Sequence, residues 1–192
     1  MAEVTLKKKV TLRKKQEQAD FTFNGKLKVK LFWKTETDLD LALFFKKKDG
    51  SVGGVFSNEY RSKKSDLGSL EQFPYILHMG DAKEPAAGTE ETEQINVASL
   101  DEIDEAYVCI INYDAAVEER DVTYAQEGGR IEIQSDSGDY LEVLADSPEE
   151  GPIYNVCSIK NNGGTYALKN ESQVMDLSRA FDNIPGFALI CN

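Results

Sequence analysis

Leu27-Lys28-Val29-Lys30-Leu31-Phe32-Trp33, followed four residues later by Asp38-Leu39-Asp40-Leu41-Ala42-Leu43-Phe44-Phe45, is the stretch that decides how this chain folds. The first run alternates apolar and polar residues, the period-two pattern of a strand with one face in a core. The second run is apolar except at its start. Side chains alternate faces along a strand, so Asp38 and Asp40 project from one side and Leu39 and Leu41 from the other. Two carboxylates that close repel each other and are costly beside an apolar layer. A hard cation between them reverses that cost, because Ca²⁺ gathers oxygen ligands from separate chain segments. A second acidic stretch offers more oxygens: Gly80-Asp81-Ala82-Lys83-Glu84, then Gly88-Thr89-Glu90-Glu91-Thr92-Glu93. Without a cation, Asp38 and Asp40 end a loop and face water.

Outward from this stretch, short strand-like runs recur. Lys48-Asp49-Gly50-Ser51 is a turn, and Val52–Phe56 returns as a strand, with Gly50, Gly53 and Gly54 read as hairpin glycines. Tyr75–His78 and Gln94–Val97 flank the acidic segment. Ala106–Tyr113 is the most apolar run and is expected to be a central strand. Two hairpins are signalled by their turns: Arg130–Ile133 with Tyr140–Val143 across Ser135–Asp139, and Tyr154–Ile159 with Thr165–Leu168 across Asn161–Gly164. At the start, Val4, Leu6, Val10 and Leu12 keep a period of two with lysines between them, which suits an edge strand. Helix signals are few. Ser99–Glu105 has capping-box spacing for about two turns. Ser172–Asp182 carries Val174, Leu177 and Phe181 at helical spacing. About ten short strands joined by tight turns predict an all-β chain, a two-sheet β-sandwich with one or two short helices, forming a single domain over residues 1–192.

Charge and cysteine content narrow the function. The net charge is −12, but residues 1–64 carry a balance of +8 and residues 65–192 one of −20. Such an acidic surface repels phosphates, so general nucleic-acid binding is not expected. The basic beginning is read as a solvated strand face, or as packing against the acidic remainder. No run approaches the roughly 18 apolar residues of a membrane span, and Met1–Lys7 lacks the apolar stretch of a signal peptide. Cys109, Cys157 and Cys191 are odd in number, widely spaced and outside any CxxC pair. They argue against a zinc site and predict free thiols in a reducing cytoplasm.

Several chemistries lack their residues. There is no phosphate loop, no dinucleotide-binding glycine pattern after a strand and no nucleophile elbow. His78 is the one histidine and is read as a hydrogen-bonded structural residue at a strand end. A carboxylate pair for polymer hydrolysis stays open, because 34 acidic residues supply many pairs and nothing marks one of them. No EF-hand loop occurs, so an oxygen site must gather loops at one end of the sandwich.

The order of segments resembles the TerD-like family of tellurium-resistance and general stress proteins. The carrying residues are Leu31-Phe32-Trp33, Asp38-Leu39-Asp40-Leu41-Ala42-Leu43-Phe44, Val55-Phe56-Ser57-Asn58 and Ser65-Asp66-Leu67-Gly68-Ser69. They continue with His78-Met79-Gly80-Asp81, Glu90-Glu91-Thr92-Glu93-Gln94-Ile95, Ile110-Ile111-Asn112-Tyr113-Asp114-Ala115 and the closing Gly164-Thr165-Tyr166-Ala167-Leu168. The resemblance implies a two-sheet β-sandwich binding Ca²⁺ at loops on one edge. It also implies a cytoplasmic stress-response role in complexes with protein partners, and no catalytic reaction. Ligand roles carry over to Asp38, Asp40 and Asp81, and further to Glu90, Glu91 and Glu93. The chain departs from the family at Lys34, where members have Asp, and in the acidic segment, where glutamates replace a Gly-Asp-Asp-Glu run. Fewer ions or weaker binding are expected from those changes. The alternatives are a metal-free interaction module of the same fold and a carboxylate-dependent hydrolase.

Overall fold

In the computed structural model of the chain, the described residues are 9–35, 37–57, 66–80, 91–136 and 138–190. In chain order they form β1 (Lys9–Leu12), β2 (Gln18–Phe21), β3 (Leu27–Trp33), β4 (Leu39–Lys47), β5 (Val52–Phe56), β6 (Gly68–Ser69), β7 (Ile76–His78), β8 (Glu91–Val97) and β9 (Ile103–Asn112). Then follow α1 (Tyr113–Val117), β10 (Gly129–Ser135), β11 (Tyr140–Ala145), β12 (Ile153–Asn161), β13 (Tyr166–Met175), α2 (Leu177–Asn183) and a 3-10 turn at Phe187–Ile190. One sheet runs β1-β11-β10-β3-β8-β7-β6 and the other β2-β13-β12-β9-β4-β5. Pairing among the described strands is antiparallel except for β1, which lies parallel to β11 at the sheet edge. The two-sheet sandwich expected from the sequence is what forms. Both hairpins read from their turns, β10–β11 and β12–β13, are present. The Val4 and Leu6 part of the expected edge strand lies outside the described residues.

The core follows from the alternation. Leu27, Val29, Leu31 and Trp33 of β3 face Leu39, Leu41, Leu43 and Phe45 of β4 across the sandwich, with Ile131, Ile133, Val108 and Ile110 around them. Lys28, Lys30 and Phe32 take the opposite face of β3. A second apolar layer covers the outer face of the six-stranded sheet. There Ala42, Phe44, Phe56, Cys109 and Ile111 pack against Ala180, Ile184 and Phe187 from α2 and the 3-10 turn. This explains why β4 reads as apolar at nearly every position: both of its faces are covered.

The helices correct three expectations. Ser99–Glu105 is not helical: Ser99 Oγ accepts from Asp101 N in a single turn, and β9 starts at Ile103. The helix expected from Ser172 begins later, at Leu177. Val174 fills the inter-sheet core and Met175 the outer layer, so the chain stays a strand that far. Asp176 then caps α2, accepting from Arg179 N at 2.8 Å. The strand expected to reach Tyr113 ends at Asn112, whose Oδ1 accepts from Ala115 N and starts α1.

Gly50 is the turn glycine of the β4–β5 hairpin, with φ +88°. Gly53 and Gly54 lie within β5, the returning strand of that hairpin, as read from the sequence. A Cβ on Gly54 would sit 2.7 Å from Phe44 Cδ1, and one on Gly53 would enter the Phe45 ring. Gly186, with φ +89°, brings the C-terminal cover against the Gly53 carbonyl. The three glycines let aromatic rings and the cover close onto β5.

The basic early strands do lie beside the acidic later ones. Lys30 stands opposite Glu132 in the β3–β10 register, and Lys46 lies 3.8 Å from Asp104. Cys109 and Cys157 are free and buried on opposite faces of the same sheet, separated by the irregularity at Asn155–Cys157. Cys191 lies outside the described residues. Among the described residues no helix is long and apolar enough to cross a membrane.

Two outcomes are expected. Gly186→Ala adds a strained left-handed alanine that collides with Gly53, and should lower stability by about 1–3 kcal/mol without changing the urea m-value. Burial pushes the Cys109 and Cys157 thiols and the Tyr124 phenol well above their ordinary values of 9.0, 9.0 and 10.0. The folded chain therefore keeps protons that the unfolded chain releases. Stability should be full below about pH 9 and decline above it. Urea midpoints that hold or rise between pH 8 and pH 10.5 would contradict this.

Candidate functional site

The approach to Asp38 is fixed by Trp33 and Glu127. The buried Trp33 donates from Nε1 to the Thr37 carbonyl at 2.9 Å, closing the turn before β4. Thr37 Oγ1 donates to Glu127 Oε1 at 3.1 Å, Thr35 Oγ1 donates to the other Glu127 oxygen, and Lys34 N donates to the Glu127 carbonyl. The stem of Lys34 runs along Gly128.

Asp40 is 2 % exposed and, by alternation, shares the outer face of β4 with Ala42 and Phe44. Asp38 is half-buried and lines a cleft of about 670 Å³ together with Asp114, Asp121, Glu127 and Glu150. Arg120 is the cation of that lining, and its Nε is ion-paired with Glu118. The cleft is therefore negative in field. Its donors are carboxylates, an amide and hydroxyls with no sulfur or imidazole, the hard-oxygen chemistry that suits Ca²⁺. Among the described residues no three Asp, Glu, His or Cys side chains come together around one ion position.

Beside this rim, two side chains from the other sheet reach β4. The β4–β5 ladder begins at Ala42 opposite Phe56, so Leu41 lies one residue beyond it. Glu93 of β8 accepts from Leu41 N at 2.7 Å, and His78 Nε2 donates to the Leu41 carbonyl at 2.9 Å. His78 Nδ1 accepts from Gly80 N at 3.0 Å, which places the ring proton on Nε2. His78 Nε2 itself lies 3.5 Å from Glu93 Oε2, a long contact beside the shorter bond to Leu41. Both side chains are completely enclosed. The structural role read for His78 is thus the one it has.

Of the six residues read as ligands, Asp38 and Asp40 stand at the start of β4 and Glu93 is turned into the inter-sheet space. Glu91 pairs through its backbone with Trp33. Asp81, Glu90 and the Glu91 side chain lie outside the described residues. The sequence reading missed Asp114, Asp121, Glu127 and Glu150. Only Asp114 stood in a recognised run, Asn112-Tyr113-Asp114-Ala115, and nothing local marked the others.

No family model matches the chain, and no curated protein matches it significantly. Two solved structures share its architecture. One is a protein of unknown function, SAV2460, with a TM-score of 0.56 at 10 % identity, covering 81 % of this chain and 94 % of that one. The other is a homologue of the telluride resistance protein TerD from Streptomyces coelicolor A3(2), with a TM-score of 0.50 at 13 % identity, covering 79 % and 90 %. The chain therefore has the fold of a TerD homologue.

Glu93→Ala would orphan the buried Leu41 N–H and should cost about 1–3 kcal/mol. Asp121→Asn, which removes one of several like charges from an open cleft, should stay within about 0.5 kcal/mol of the parent. Urea melts of the two variants check this ordering, and equal losses would contradict it.

Proposed function

We propose that this chain is a calcium-binding interaction module of the TerD-like kind. It has no catalytic reaction of its own and works with protein partners in a cytoplasmic response to tellurite or other chemical stress. The observation that supports the reading is that His78 and Glu93, which flank the second acidic stretch in sequence, both bond the strand that carries the first. The segment 81–90 follows Gly80 and precedes Glu91. Gly80 is bonded to His78, His78 and Glu93 both bond Leu41, and Leu41 follows Asp40 directly. His78 and Glu93 are thereby both bonded to the strand that bears Asp38 and Asp40. Asp38, Asp40 and Asp81 would hold the ion with Glu90 and Glu91, and Asp114 lines the same cleft as Asp38. Bound Ca²⁺ would neutralise that rim and fix its loops as a surface for a partner.

The fold shared with a TerD homologue supports the stress-response reading. The engagement of both His78 nitrogens leaves it unsuited to act as a general base. A metal-free module of the same fold is the second reading. It is favoured by Lys34, where the resemblance leads one to expect Asp, and by the lack of any three-ligand grouping among the described residues.

Calcium separates the two. A ligand specific for the folded state, at about 100 times its dissociation constant, stabilises by about 2.7 kcal/mol. For a chain of this size that raises the Tm by roughly 5–10 °C. Mg²⁺ should do less, since it holds its waters and demands a small octahedral site. Asp40→Asn should keep the strand and remove most of the shift. Superimposable melting curves in Ca²⁺ and in chelator, with no calorimetric binding at millimolar Ca²⁺, would leave the metal-free reading.

A further inference from the structure

We propose that Asn24 is a site of spontaneous covalent modification, and that Asn161 shields the chain's other Asn-Gly pair, Asn162-Gly163, from the same reaction. The co-reactant is water. An Asn-Gly pair carries its own electrophile and nucleophile. The glycine nitrogen attacks Cγ of the asparagine side chain and forms a C–N bond. The Cγ–Nδ2 bond breaks, and the side-chain nitrogen leaves as ammonia with the proton lost from the glycine nitrogen. Water then opens the cyclic imide at either carbonyl, leaving an aspartyl or an isoaspartyl residue. Nothing is oxidised or reduced. Glycine, with no Cβ, leaves its nitrogen most open to this approach.

The fold treats the two pairs differently, although both are exposed. Asn24-Gly25 lies in the link between β2 in one sheet and β3 in the other. That link is held on either side of the pair. Phe23 packs on Tyr166, with ring centroids 5.2 Å apart. Lys26 N donates to Asp136 Oδ2 at 2.8 Å, and the Lys26 carbonyl accepts from Asp136 N at 3.1 Å. None of these bonds holds Gly25 N. The position favours glycine, because its φ is +89° and a Cβ would sit 2.7 Å from Asp136 Oδ2. The fold therefore keeps a reactive pair at a joint between its sheets. In the β12–β13 turn the nucleophile is occupied. Gly163 N and Gly164 N both donate to Asn161 Oδ1 at 3.1 Å, and Asn162 N donates to the Thr165 carbonyl at 2.8 Å. Asn161 is itself fixed, its Nδ2 donating to the Leu100 and Ile103 carbonyls at 3.0 and 3.1 Å. Gly163 N must give up a bond before it can reach Asn162 Cγ. The isoaspartyl product adds a carbon to the backbone, so at Asn24 it lengthens the joint and places a carboxylate one residue from the Asp136 contact.

Peptide mass mapping reads both sites, since each conversion exchanges a side-chain NH2 for OH. In the folded chain, kept in warm and mildly alkaline buffer, Asn24 should convert about tenfold faster than Asn162. In urea the two rates should differ by no more than about threefold, because the fold that separates them is gone. Asn161→Ala frees Gly163 N and should bring Asn162 of the folded chain to within about threefold of Asn24. Asn24→Gln, whose longer side chain would need a larger ring, should abolish the product at residue 24. An Asn24 that stays intact in the folded chain while the urea-treated chain reacts would overturn the proposal. The same ratio of rates in the folded and unfolded chains would overturn it as well, since local sequence would then set the difference. An Asn162 that stays slow in folded Asn161→Ala would overturn the shielding role. If Asn161→Ala does not fold, the folded and urea-treated parent decide between them.

Discussion

The backbone of Leu41 is hydrogen-bonded by side chains from the opposite sheet, and the packing of the two sheets around β4 depends on that bracket. Enclosing a carboxylate costs several kcal/mol in lost hydration, of the same order as the gain from its bonds. The alternative is worse, because a buried N–H and C=O without partners each cost about 1–3 kcal/mol. Glu93 and His78 therefore contribute modestly to net stability and strongly to placement. They fix where β7 and β8 sit relative to β4. Trp33 plays a similar part on the other side, tying the Thr37 carbonyl and so the chain entering Asp38.

The second constraint is the covered outer face of the six-stranded sheet. Phe44, Phe56 and Phe187 pack there, with Phe44 and Phe187 centroids 5.3 Å apart. Asp40 sits on the same face, one turn of the alternation from Ala42, and is almost wholly enclosed. A carboxylate in that position is unfavourable without compensation, as a charge removed from water always is.

Features specified by neighbouring residues were legible in the sequence. Asn161-Asn162-Gly163-Gly164 and the Ser135–Asp139 turn carry their own conformational preferences, so both hairpins were readable. Features set by distant contacts were not. Ser99 has the spacing of a helix cap, but Ile103 and Ala106 are claimed by the sheet. Ser172–Met175 looks helical until Val174 and Met175 are seen to fill cores on opposite faces. Gly53 and Gly54 were legible as glycines of the β4–β5 hairpin, but nothing nearby in sequence shows that Phe44 and Phe45 require them. The inward turn of Glu93 did have a signal: it keeps a period of two with Ile95 and Val97, both core residues. The acidic cleft had none, since Asp38, Asp114, Glu127 and Glu150 come from four separate segments and meet only in the folded chain.

A crystal grown with Ca²⁺ and measured for anomalous scattering tests the account most directly. The calcium reading predicts an ion with oxygen ligands at about 2.3–2.6 Å that include Asp38 and Asp40. An empty rim at saturating Ca²⁺ would contradict it.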